Sequence, residues 1–265
     1  MPTPAFVNQS STTTATQVTT TTCPLPGSRV VGNYLVAAIT GFPNGTPAAG
    51  GTVVTPGWTQ LYMSPAWGFG GRQKLGIWGK RIDGTEVDPI TIGNDQAAAV
   101  YYDAVIAQYT NVVAAGSALD GAGASGAGSV ALTAVAPAIT VAVANSLVLA
   151  FGTGGDNTQY TVDYPGNTKR YEVGNAGVPC QITLAEIPMA APGTLAAGTW
   201  TRVAGNQAWM GHAVALLAGP APVTPPISPS ASGLGQRLVT TVPGGRRTIA
   251  KISPALGFYG RMIKL

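Results

Sequence analysis

Apolar and polar positions alternate along this chain in short runs, and two aliphatic runs echo each other. Asn33-Tyr34-Leu35-Val36-Ala37-Ala38-Ile39 returns, loosely, as Asn145-Ser146-Leu147-Val148-Leu149-Ala150-Phe151. Each follows a stretch rich in Thr and Val, Gln17–Thr22 in one case and Ile139–Val143 in the other, and each ends at a glycine, Gly41 or Gly152. Runs this short, largely aliphatic and closed by glycine, predict strands buried on both faces. Leu35, Ile39, Leu147, Leu149 and Phe151 are the expected core. A third run, Trp209–Leu217, closes the globular part in the same idiom.

The remaining elements follow from the same periodicity. Ala5–Ser11 and Gln17–Thr22 read as polar strands near an edge. Residues 42–57 read as a loop, because glycine and proline punctuate them. Trp58–Tyr62 alternates as a half-buried strand does. Gln73–Ile82 is a strand whose expected partner includes Pro89–Ile92. Ala98–Tyr109 is a long strand with Tyr102, Ala104 and Ile106 on one face and Asp103, Val105 and Ala107 on the other. Residues 114–129 read as a Gly/Ala/Ser loop. Strands resume at Ser129–Val135, Ile139–Val143, Gln159–Tyr164, Lys169–Val173, Cys180–Ile187 and Gly198–Arg202. About a dozen strands without a long helical period predict an all-β fold, an antiparallel β-sandwich or jelly roll. The echoed halves suggest two related Greek-key units packed face to face.

At Gly219 the texture changes. The expected organisation is a β-sandwich domain over residues 1–218, a Pro-rich linker over 219–230 and a docking tail over 231–265. The prolines between Pro220 and Pro229 predict a stiff, extended connector. Beyond it, Arg237–Val242 and Thr248–Ile252 look like short strands. The tail is too small to hold a core alone, yet it carries Leu256, Phe258, Tyr259, Met262 and Ile263, so burial against a partner is expected. Arg237, Arg246, Arg247 and Lys251 complete an extended anchoring segment.

Charge sharpens this division. Only 9% of the residues are charged, against roughly 25% in an average soluble domain. Up to Glu186 there are seven basic residues and all ten acids; beyond it there are seven basic residues and no acid. A basic tail on a mildly acidic body suits docking to an acidic protein surface; nucleic acid is not expected, since no nucleic-acid fold and little aromatic interleaving accompany the basic residues. Cys23 and Cys180 are too few for a disulfide framework and read as unpaired thiols. No basic-then-apolar leader and no apolar run of about 18 residues occur, which predicts synthesis in the cytoplasm and no membrane span.

Candidate chemistry is sparse. Gly121-Ala122-Gly123-Ala124-Ser125-Gly126 matches G-x-G-x-x-G, but strand-like residues follow where a dinucleotide site needs a helix, so it reads as a flexible loop. His212 is the single histidine; in strand phase with Val214 and Leu216, it reads as a strand residue and not as a general base. One histidine and two distant cysteines supply no zinc spacing. Asp83, Glu86 and Asp88 read first as turn residues, with a calcium loop or a glycosidase carboxylate pair as alternatives. Trp67 and Phe69, in a Gly-rich loop, are the expected exposed aromatic pair and the candidate sugar contact. No catalytic residue, cofactor or metal ligand is assigned.

Several of these motifs together resemble a family of β-sandwich proteins from tailed phages and prophages. They are the Pro26-Gly27 turn, Gly32-Asn33-Tyr34-Leu35-Val36-Ala37, Thr55-Pro56-Gly57-Trp58-Thr59, Tyr109-Thr110-Asn111-Val112, and the strand from Asn145 to Ala150. The resemblance covers roughly residues 5–218 and implies a non-enzymatic appendage or decoration protein on the virion head or tail. Expected partners are other virion proteins and further copies of itself. A carbohydrate-binding adhesin, contacting a host surface glycan, is the alternative, and a glycan-cleaving enzyme stands behind both.

Overall fold

Both echoed runs form strands, and nearly every residue in them is buried, as double-faced apolar sequence requires. The computed structural model describes residues 1–43, 48–67, 72–114, 118–120, 124–131, 133–154, 160–162, 167–174, 181–202, 207–219, 239–241 and 247–249. The chain divides into two compact units, residues 1–222 and 223–265.

The first unit is all-β among the described residues. Its first half contains β1 (Ala5–Thr13), β2 (Thr21–Cys23), β3 (Tyr34–Phe42), β4 (Ala49–Val53), β5 (Thr59–Met63), β6 (Gln73–Arg81), β7 (Ile90–Asn94) and β8 (Tyr101–Thr110). Its second half contains β9 (Ala124–Ala131), β10 (Thr133–Ala136), β11 (Ile139–Val141), β12 (Ser146–Gly154), β13 (Tyr160–Val162), β14 (Thr168–Gly174), β15 (Gln181–Met189), β16 (Gly193–Leu195), β17 (Gly198–Arg202) and β18 (Gln207–Leu216). Pairing is antiparallel except for the short contact of β4 with β6.

The two halves repeat one pairing scheme. The first half is one eight-stranded sheet, in which β1-β8-β3-β6 continues through β4 to β7 and β2 and β5 pairs with β6; within it the run β1-β8-β3-β6-β5 corresponds to the sheet β9-β18-β12-β15-β14 of the second half. In each, the aliphatic strand (β3 or β12) lies at the centre. The smaller arrays also correspond: β2-β7-β4 in the first half, β11-β16 with β10-β17-β13 in the second. Even the bulges match, falling between Gln60 and Tyr62 on β5 and between Lys169 and Tyr171 on β14.

Three apolar clusters explain the double-faced burial. One joins Val36, Ala38, Ile77 and Val105 of the first half to Leu149, Phe151, Leu184 and Val214 of the second. A second lies within the first half, around Leu35, Ile39, Ile90, Ile92 and Tyr102. A third lies within the second half, around Val148, Ala150, Ile187 and Trp200. The central strands therefore meet apolar neighbours on both faces. The sequence echo holds in pairing but not in facing: Leu35 points into its own half, whereas its counterpart Leu147 belongs to the shared cluster.

Several expectations need correction. β7 does not pair with β6. β6 is paired with β3 and β5, and at Gln73 and Lys74 with β4, so the chain crosses after Arg81 and β7 joins β2 and β4. The expected loop at 42–57 contains β4, whose glycines serve close packing: a Cβ on Gly51 would lie 2.2 Å from Ile39 Cγ2, and one on Gly76 would lie 2.1 Å from the Gly51 carbonyl oxygen. The expected loop at 114–129 contains part of β9. Gly126 and Gly128 pair there with Gly211 and Trp209 of β18, because edge pairing overrides weak β-propensity.

In the second unit, β19 (Val239–Thr241) and β20 (Arg247–Ile249) form an antiparallel hairpin. It overlaps the two short strands expected there. The linker from residue 220 onward, Cys180 and the remainder of the tail lie outside the described residues. Cys23 is a buried free thiol, and burial pushes it up to about 12, which keeps it protonated at neutral pH.

Candidate functional site

Of the residues expected to dock, Arg247 opens β20; Arg237, Arg246, Lys251, Leu256, Phe258, Tyr259, Met262 and Ile263 lie outside the described residues. The candidate sugar contact requires a correction. Trp67 is only 4% exposed and belongs to the cluster shared by the two halves. Its backbone forms a two-way bridge with Gln73, at 2.8 Å each way, which turns the ring inward against the sheet. Phe69 lies outside the described residues. Trp200 and Trp209 are also buried, and Trp58 and Trp78 pack partly buried against the first half's core.

The acidic turn after β6 is built by its own carboxylates. Asp83 Oδ1 accepts from the Thr85 amide at 2.9 Å and the Thr85 hydroxyl at 2.6 Å. The Thr85 bonds hold Asp83 down at about 2, so it is ionised at any ordinary pH. Glu86 accepts from the amides of Asp83 and Gly84. Asp88 accepts from the Leu25 amide and pairs with Arg29 at 2.6 Å. Gly84 takes φ +88°, the left-handed conformation that glycine allows. This turn and the neighbouring 27–31 segment line an open groove of about 490 Å³.

The densest polar chemistry lies at the junction of the halves, where no sequence signal placed it. Asp103, on β8, is fully buried. Its carboxylate accepts from the Ile182 amide of β15 at 2.8 Å and from the Tyr171 hydroxyl of β14 at 3.4 Å. His212, on β18, is equally buried and stacks on Tyr62 of β5 with ring centroids 3.5 Å apart. Asp103 and His212 occupy corresponding strands, and each meets a tyrosine from the matching strand of the other half. The junction thus uses matching strands of the two halves within one chain. Nearby, Glu186 is paired with Arg170 at 2.7 Å and faces Tyr109. A general base must reach its substrate; His212 is closed off from solvent. Asp120, in a stretch that reads as featureless sequence, accepts from the amides of Ala142 and Val143 and pins the turn before β12.

Burial raises Asp103 well above the ordinary carboxylate range, and raises Glu186 against the pull of Arg170. A carboxyl raised in the folded state stabilises the fold fully below its unfolded value, about 3.9 for Asp. That contribution is lost as pH rises towards the folded value. Wild-type stability is therefore expected to fall as pH rises above about 4, by up to about 1.4 kcal/mol per pH unit from Asp103. Asp103→Asn keeps an acceptor for Ile182 and should remove that slope in urea melts across pH 5 to 8. An unchanged slope would place the pH dependence elsewhere.

Comparison with protein-family models, with curated proteins and with solved structures finds no match.

Proposed function

We propose that this chain is a non-enzymatic structural protein of a tailed phage or phage-derived particle. In this reading its body is a tandem of two jelly-roll sandwiches stacked through their larger sheets. It is made in the host cytoplasm, displayed on the head or tail surface, and anchored through its C-terminal segment to other virion proteins. The strand order supports the jelly-roll reading, since β1-β8-β3-β6 and β2-β7-β4 are the two runs a rolled-up Greek key produces, here joined through the short β4–β6 pairing. The motifs of the first half and of β12 support the phage assignment by resemblance.

One observation carries the anchoring role: a separate unit of residues 223–265 holds six basic residues and no acid, behind a proline-rich connector. Such a segment steers towards an acidic surface and sets the on-rate more than the affinity. The adhesin alternative loses the exposed Trp67 ring that suggested it. The test is attachment to particles lacking the protein, measured by cosedimentation at increasing salt. Replacing Arg246, Arg247 and Lys251 with alanine should weaken attachment, most visibly as salt rises; attachment equal to wild type at every salt concentration would remove the electrostatic anchor.

A further inference from the structure

A second concavity lies at the Arg81 end of β6, and several of its polar groups are unspent. It encloses about 340 Å³ and is lined by Tyr34, Thr59, Gly79, Arg81, Asp83 and Val113, among others. That volume falls within the range of small-ligand sites, roughly 300–1,000 Å³. Strand register brings the lining together. Tyr34 pairs with Arg81 across β3 and β6, and Thr59 pairs with Gly79 across β5 and β6. Gly79 and Arg81 stand two residues apart, so all four share one face of the sheet. Gly79 makes the space: a Cβ there would lie 2.2 Å from the Tyr34 hydroxyl oxygen.

Arg81 sets the charge of the inner wall. Its guanidinium donates to the carbonyls of Gly32 at 2.6 Å, Val112 at 3.2 Å and Val113, and lies 5.0 Å from the centre of the Tyr34 ring. These bonds hold the 112–113 segment in place as a wall. Carbonyls satisfy the donors without cancelling the charge, and Arg81 forms no ion pair among the described residues. A cation partly withdrawn from water favours an anion beside it. The Tyr34 hydroxyl makes no hydrogen bond to another described residue and can donate to that anion.

Asp83 lies on the exposed side of the cavity. Its Oδ1 takes both Thr85 bonds, and no N–H or O–H of a described residue reaches Oδ2. Lys80, also in the lining, lies 4.0 Å from Glu86. The cavity thus has a cationic, donating end and an accepting carboxylate. Arg81 repels a bare metal ion and Asp83 repels a bare anion. A ligand carrying both a carboxylate and hydroxyl groups uses both ends.

We propose that this cavity binds one acidic sugar unit, its carboxylate beside Arg81 and the Tyr34 hydroxyl, and a ring hydroxyl donating to Asp83. The site is independent of the anchoring role, because no residue beyond Ala118 lines it.

The experiment titrates the full-length protein with glucuronate, glucose and inorganic phosphate, read by ligand-observed NMR. Glucuronate should bind about tenfold more tightly than glucose, through its carboxylate. Tyr34→Phe keeps the ring and removes the donor, and should weaken glucuronate about tenfold. Asp83→Asn keeps an acceptor for Thr85 but puts amide hydrogens where Oδ2 accepts. Glucuronate should therefore weaken, whereas phosphate, relieved of a repelling charge, should tighten. Glucuronate that tightens along with phosphate in Asp83→Asn would reveal a plain anion site and overturn the proposal. Glucose bound as tightly as glucuronate, a glucuronate affinity unmoved by Tyr34→Phe, or no glucuronate binding to the wild type would each overturn it as well.

Discussion

On the anchoring role proposed above, removing residues 220–265 is expected to leave a folded body that no longer attaches to a particle. The three apolar clusters of the body draw on residues up to Leu216, and the two halves share one of them. Residues 223–265 form a separate unit whose described part is one small hairpin. An isolated two-stranded hairpin is marginal in water and gains stability by joining another sheet or surface. The truncated body should therefore keep its β-type circular dichroism and melt within a few degrees of the full chain, while cosedimentation with particles falls to background. If the truncated body unfolds, the segment belongs to the core. If it still attaches at full occupancy, the anchor lies elsewhere.

The second large effect is expected at Phe151. Its ring is 1% exposed and lies between Leu184 of β15 and His212 of β18, on the face of β12 that meets the first half. Phe151→Ala removes apolar contact from the cluster both halves share and leaves a cavity that neighbouring strands cannot close without shifting register. Urea denaturation should show a loss of about 3–5 kcal/mol. Val135→Ala, at an exposed position, should stay within about 0.5 kcal/mol of wild type. If the two substitutions cost the same, the junction is not a packed core.

The strand content was legible because its signal is local. An aliphatic run closed by glycine, as at Tyr34–Gly41 or Ser146–Gly152, admits few readings other than a doubly buried strand. The alternation of Tyr102, Ala104 and Ile106 against Asp103, Val105 and Ala107 predicted two faces that do meet different clusters. The missed strands failed for the same local reason. β4 and β9 are glycine-rich, and glycine marks a loop unless a neighbouring backbone comes close enough to require it.

The candidate site divides differently. The charge imbalance and the apolar tail are properties of composition, so the sequence alone determined them, together with the all-β class and the identity of the central strands. It also determined the turn chemistry of Asp83, because an Asx turn needs only neighbours two residues away. Only the tertiary structure decided which way each doubly buried strand faces, since a strand apolar on both sides carries no phase. It decided that Trp67 is core, because the cluster that receives the ring is assembled from strands of both halves. It decided that Asp103 and His212 meet tyrosines of opposite halves, which no spacing encodes: Asp103 and Tyr171 lie far apart in the chain, and pairing between sheets alone brings them together.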